Sequence, residues 1–388
     1  MPVNKAKINK QEDFMIDSKE MTVEDYLVEA EGYIAEENIG RAIWALKKGL
    51  KRFPANARLL EWRALFRSLT RVHADAHLVY SELLCLEPEN PDFFHRRAKE
   101  QITSGKYYKA LEDMNDAIRL NPNKACYYNT RARAHEGMEN LYEALADYNR
   151  AIELDGSREE LFYNRADLFE KMEHYNSALY DYSMAIELCP ESDTNFRGRG
   201  RLYFKLGEYD LALADFNKAR ELNPESYFTY YNRAEVFEAQ GDYDRAIANY
   251  TCAMELYPYN DDYDTPFRRG VVYFCDNDLS KAIDDFTRAL SISPDFADAL
   301  YYRSLAYRQL GEDDLAADDL AKCMSLGTDN YLVLKIQIDP LGYEYSYSYS
   351  ILEQDLAKLS NGQQMAGEQQ RAGLFKLNVV IIVCESEC

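Results

Sequence analysis

The chain has 388 residues, 47% hydrophobic and 29% charged, with a formal net charge of -22 and a sequence pI near 4.7. That composition is globular and excludes a disordered chain, which would lack the apolar content to build a core. The acidity argues against nucleic acid and anionic membrane surfaces, both of which call for a basic field.

Residues 1–22 read as a flexible arm. The run MPVNKAKINKQEDFMIDSKEM holds no apolar core, so it is not a signal peptide. The longest apolar stretch of the chain, Val379 to Cys384, is too short to span a bilayer, and direct membrane insertion is not expected. Eight cysteines without a CxxC pair read as free thiols, and the cytoplasm is the expected location. Thr22, followed three residues on by Asp25, offers a capping box for a first helix.

From residue 23 the chain repeats. Pro54, Pro88, Pro122, Pro190, Pro224 and Pro258 are spaced by 34 residues or twice 34, with Gly156 in the skipped place. Pro294 comes two residues late, and Asp261 and Asp262 in YPYNDDYDTP read as the insertion. Alanine marks the same period at Ala42, Ala76, Ala110, Ala144, Ala178, Ala212, Ala246, Ala282 and Ala316. The units therefore start near residues 23, 57, 91, 125, 159, 193, 227, 263 and 297. A second row of small residues precedes the alanines: Ala30, Ala64, Ala98, Ala132, Ala166, Gly200, Ala234, Gly270 and Ser304. A bulky row follows four residues after them, from Leu46 and Tyr80 through Phe286 and Leu320. Small residues let two helices approach, and large ones fill the space beside them.

Within a unit the apolar spacing is helical, as in AIANYTCAMELYP. Breaks at KLGEY, AQGDY and QLGED place Gly207, Gly241 and Gly311 at helix ends, and the proline closes each unit. Each unit is helix, short turn, helix. The unit from 193 supplies Phe196, Arg199, Gly200, Tyr203, Ala212, Phe216 and Pro224. On these residues the chain resembles the tetratricopeptide-repeat family over residues 23–330, with 331–388 left as a C-terminal cap and tail. The resemblance implies an all-α, right-handed superhelical α-solenoid of about nine helix-turn-helix units. It also implies a concave groove lined mainly by the first helix of each unit. One hairpin cannot bury its apolar face alone, so stacking builds the core.

The seventh place of the unit departs from the family pattern. It holds Glu29, then Arg63, Arg97, Arg131, Arg165, Arg199, Arg233, Arg269 and Arg303. Place 23 holds Asp113, Asp147, Asp181, Asp215, Asn249, Asp285 and Asp319, at equal height on the facing helix. A ladder of Arg–Asp pairs is expected, because an unpaired buried arginine costs several kcal/mol. Arg63 and Arg233 lack a matching carboxylate and are the members free to reach elsewhere.

On the family's geometry, places 2, 5, 6 and 9 of the first helices face the groove. They hold His95, Arg96 and Lys99, then Asn129 and Arg133, then Tyr163 and Asn164. Arg197 and Arg201 follow, then Tyr231 and Asn232, then Phe267 and Arg268. This stripe is basic and aromatic within an acidic chain. Asparagines can hold a peptide backbone and tyrosines give contact area at low entropy cost. Residues 91–235 are expected to bind an extended segment, acidic or C-terminal. The clamp of chaperone-binding members is not matched, since no unit carries its first Lys/Asn pair.

No phosphate loop, nucleophile elbow or HExxH run occurs, and NDDYD and EDDLAADD lack EF-hand spacing. His73 and His77 stand four apart without a clear third ligand. No catalytic residue, metal or cofactor is expected. The tail carries ILEQDLAKL and the strand-like LFKLNVVIIV, so part of 331–359 caps the last unit, and 374–383 is a possible docking or self-association segment. The functional expectation is a cytoplasmic scaffold or adaptor that binds protein or peptide in the groove. The alternative is a regulatory or assembly subunit of an enzyme or membrane complex, docking through its tail.

Overall fold

The periodic alanines decide how the helices meet. The computed structural model describes residues 21–36, 38–69, 73–257 and 262–326. The readings of the arm before Met21, the cap at 331–359 and the docking segment at 374–383 fall outside the described residues. Helices form two compact units, divided between Glu225 and Ser226.

The first unit holds α1 (Val23–Ala35), α2 (Ile39–Arg52), α3 (Ala57–Leu69), α4 (His73–Leu86), α5 (Pro91–Thr103), α6 (Tyr107–Leu120), α7 (Ala125–Glu136), α8 (Leu141–Leu154), α9 (Glu159–Lys171), α10 (Tyr175–Leu188), α11 (Asp193–Lys205) and α12 (Tyr209–Leu222). The second holds α13 (Tyr227–Ala239), α14 (Tyr243–Leu256), α15 (Asp264–Cys275), α16 (Leu279–Ile292), α17 (Ala297–Leu310) and α18 (Asp313–Ser325). Among the described residues there is no strand. Each odd-numbered helix packs on the even-numbered one that follows it, as a hairpin. Within each unit the even helix then packs on the next odd one. The fold is an all-α solenoid.

The caps follow the local sequence. Thr22 accepts from the Asp25 amide, and Asp25 accepts from the Thr22 amide at 2.7 Å, which completes the capping box. Asn90 caps α5 with Pro91 at the first helical position, where no amide is needed. The repeat proline stands two residues past the last helical residue, as at Pro122 after Leu120 and Pro224 after Leu222. The turn inside a hairpin takes a left-handed residue, Gly105, Gly207, Gly241 or Gly311. In three hairpins a side chain occupies that position: Glu139, Glu173 and Asn277, with φ near 60°.

Both small rows are sealed. Ala110, Ala144, Ala178 and Ala212 of the first unit are fully buried, as are Ala246 and Ala282 of the second. The bulky row lies beside them, with Met114, Tyr148, Tyr182, Phe216, Tyr250 and Phe286 fully buried. Each such large side chain contributes roughly 1.5–3 kcal/mol when removed from water. Among the described residues no helix is long and apolar enough to cross a membrane.

Candidate functional site

The arginine ladder is a staple between helices. Arg97, Arg131, Arg165 and Arg199 each grip the aspartate of their own hairpin through Nε and Nη2, at 2.6–2.8 Å. Arg269 and Arg303 do the same in the second unit, each at 2.7 Å. The remaining amino group reaches back to the preceding hairpin. Nη1 donates to Ser81, Asn115, Asn149 and Ser183 in the first unit, and to Thr251 and Thr287 in the second, at 2.7–3.0 Å. One guanidinium thus pairs with the aspartate of its own hairpin and ties that hairpin to the one before it. The planar fork makes this possible, and lysine would not replace it.

Arg63 and Arg233 do not reach out. Arg63 donates to Glu82 in its own hairpin at 2.6 Å. Arg233 is buried, with its guanidinium 5.7 Å from the Phe237 ring centre. The sequence left these two free to reach elsewhere; Arg63 reaches Glu82 and Arg233 is held inside the stack.

The stripe predicted on the first helices of the first unit divides into two parts. On α5, Arg96 and Lys99 are exposed. His95 is half-buried, with Nε2 2.9 Å from the Thr130 hydroxyl and its ring 5.1 Å from Tyr127. Burial, and then the charges of Lys99, Arg96 and Lys124, push its pKa down to about 4 against the pull of Asp92. On α7, Arg133 is exposed, and Asn129 accepts from the Asn164 amide of α9 at 2.9 Å. That pair of amides links two successive first helices on the face where a backbone is expected.

On α9 and α11 the stripe is already paired within the fold. Tyr163 stands edge-on to Tyr182, 5.5 Å between ring centres. Gly198 leaves room for both, since a Cβ there would stand 2.7 Å from Tyr182 and 2.8 Å from Tyr163. Arg197 bonds Asp193 at 3.2 Å. Arg201 lies 4.0 Å from Glu170, which Lys205 also approaches at 3.5 Å.

In the second unit, Tyr231 donates to Asp264 and stacks on Tyr227 at 6.0 Å. Asn232 is buried, so its amide is not on the surface. Arg268 lies 3.9 Å from Asp264. Burial opposes its charge, but Tyr231, Glu238, Tyr250 and Asp264 together hold its pKa above the usual arginine value.

The carboxylates on this face are what sequence reasoning missed. Glu136 accepts from the Tyr148 hydroxyl and is 2.5 Å from Lys171. Asp167 accepts from Tyr182, and Glu238 accepts from Tyr250 at 2.7 Å. Burial raises the pKa of both Asp167 and Glu238. The signal was present: Glu136, Glu170 and Glu238 recur at the twelfth place in the hairpins whose bulky residue is Tyr148, Tyr182 or Tyr250.

Comparison with known proteins agrees with this geometry. Models described as tetratricopeptide repeat match residues 91–124, 127–158, 192–258 and 267–322. Among solved structures, the chain is similar to one in the APC/C hetero-tetramer Cut9-Hcn1, at 19% identity and TM-score 0.51, over 75% of this chain. The match spans 57% of that chain. At that identity the likeness is one of fold. A tetratricopeptide repeat protein from Parabacteroides merdae ATCC 43184 matches at 23% identity and TM-score 0.48, over 62% of this chain and 94% of that one. Yeast Tom70 matches at 16% identity and TM-score 0.48, over 79% and 85%. No curated protein sequence matches this chain.

Proposed function

The chain belongs to the tetratricopeptide-repeat family, and from that premise we propose that it is a non-catalytic scaffold which holds an extended peptide segment on its first helices. In this reading the first helices α5, α7, α9 and α11 of the first unit carry the binding surface. The observation that carries it is the division of labour between the rows. The Arg–Asp staples are spent inside the stack, on the aspartate of their own hairpin and a hydroxyl or amide of the one before it, so they hold the scaffold. Lys99 and Arg133 stand exposed on α5 and α7 without an ion pair among the described residues, and Arg201 is exposed on α11 beside Glu170.

Peptides selected from a random display library against the whole chain test the reading. They are expected to cross-link to a photoreactive side chain placed at Arg201 on the first-helix face. They are not expected to cross-link to one placed at Tyr142, a second-helix residue that is 78% exposed. A selection that yields no binder, or cross-links confined to position 142, overturns it.

A further inference from the structure

Cationic charge is spent differently along the first unit. On α9 and α11 it is consumed internally: Arg197 holds Asp193, while Arg201 and Lys205 share Glu170. On α5 and α7 the staple arginines Arg97 and Arg131 are paired, but the ninth place of the unit is not. Lys99 and Arg133 are both exposed, and neither forms an ion pair among the described residues. They occupy the same place in successive repeats, 34 residues apart. Asp167 follows at that place on α9, so the uncompensated pair ends there.

Resting on the reading of the first-helix face given above, we propose that Lys99 and Arg133 read two carboxylate side chains of an extended partner segment, spaced about three residues apart. The spacing follows from the packing. The helices α5 and α7 touch directly. Packed helices lie about 8–10 Å apart, and an extended polyproline-II segment advances about 3.1 Å per residue and presents the same face every three residues. Two equivalent side chains on these helices are therefore matched by acidic residues at i and i+3. Arg133 takes its carboxylate through a planar fork and Lys99 as a point charge. The Asn129–Asn164 amide pair lies next along the face, placed to meet the partner's backbone. In a chain with net charge -22, exposed cations on this face stand apart in sign from most of the surface around them. After burial, the charge of Lys99 is the largest influence against protonation of His95.

The test selects peptides from a random display library on the full chain and reads their sequences. Enrichment of Asp or Glu at i and i+3 is expected. A selected peptide is expected to bind K99E/R133E at least about tenfold more weakly, and K99Q/R133Q also weakly, with K109E, at an exposed position of the second helix α6, within about twofold of the parent. Both changed residues are exposed, and circular dichroism checks that helix content is retained. Binding should also raise the His95 midpoint in an NMR titration, because carboxylates favour the imidazolium. Binders that lack acidic pairs, tolerate K99E/R133E and still cross-link at position 201 overturn this inference and leave the face reading standing. A selection that yields no binder overturns both.

Discussion

Gly200 of α11 and Phe216 of α12 are fitted to each other: a Cβ on Gly200 would stand 2.7 Å from Phe216 Cε1 and 2.9 Å from Cδ1. Gly270 has the same relation to Phe286, at the same two distances. Where the bulky residue is Met114, Tyr148, Tyr182 or Tyr250, the small residue is alanine instead: Ala98, Ala132, Ala166 or Ala234. A third position moves with them. Phe204 and Phe274 accompany the glycines, whereas Glu136, Glu170 and Glu238 accompany the tyrosines. The hairpins thus use two packings. In one, a tyrosine hydroxyl is drawn to a carboxylate across the hairpin. In the other, a phenylalanine ring lies against bare backbone.

Gly200→Ala should therefore destabilise the chain by about 1–3 kcal/mol, the usual cost of overpacking a sealed core. Converting the whole set, G200A/F204E/F216Y, should recover much of that loss, because it installs the alternative packing complete. The midpoint of urea unfolding measures both, with the slope compared to guard against lost cooperativity. A single variant that unfolds at the parental midpoint would show that the ring yields freely, and the two-packing account would fall.

The same hairpins show how far the sequence could be read. Period, hairpin boundaries and the Arg–Asp pairing were legible, because each depends on one residue type at one place. The capping box at Thr22 was legible for the same reason. What stayed hidden depends on combinations. The polar row of Ser81, Asn115, Asn149, Ser183, Thr251 and Thr287 mixes three residue types, and only the third arm of each arginine reveals its purpose. The basic stripe was read from places 2, 5, 6 and 9 alone. Glu136, Glu170 and Glu238 sit one turn further along the same helices, where they take up lysine, arginine and tyrosine. The left-handed turn residues Glu139, Glu173 and Asn277 were illegible, since neighbouring contacts there override the usual preference for glycine.

The staple at Arg165 and Asp181 gives the next expectation. Asp181 is 1% exposed, and both its oxygens accept from Arg165, at 2.7 and 2.8 Å. Removing one partner strands the other charge, so Asp181→Ala should cost about 3–5 kcal/mol. Replacing both by apolar residues of similar volume, R165M/D181L, should cost much less, because no charge is left buried. Asn149 would then lose only its bond from Arg165 Nη1. Urea unfolding of the two variants side by side decides this. If the double variant proves as unstable as the single one, the staple contributes net attraction beyond offsetting its own desolvation.

Glu238 supplies a pH dependence whose sign can be worked out. Burial raises its pKa above the ordinary 4.5, outweighing the Tyr250 hydroxyl and the Arg268 charge, which both favour the carboxylate. The folded chain thus holds this proton more tightly than the unfolded chain does. That contribution is complete below the unfolded value and is lost as pH rises through the folded one. Glu238→Gln keeps an acceptor for Tyr250 and removes the charge, so at neutral pH it should unfold at higher urea than the parent. The advantage should shrink as the pH falls below the ordinary carboxyl range. Glu238→Ala, by contrast, leaves the buried Tyr250 hydroxyl without its acceptor and should lose about 1–3 kcal/mol at every pH. Unfolding midpoints of all three proteins at neutral and acidic pH separate these effects. A glutamine variant weaker than the parent at neutral pH would mean that attraction between Arg268 and Glu238 exceeds the cost of burial, and the sign argued here would be reversed.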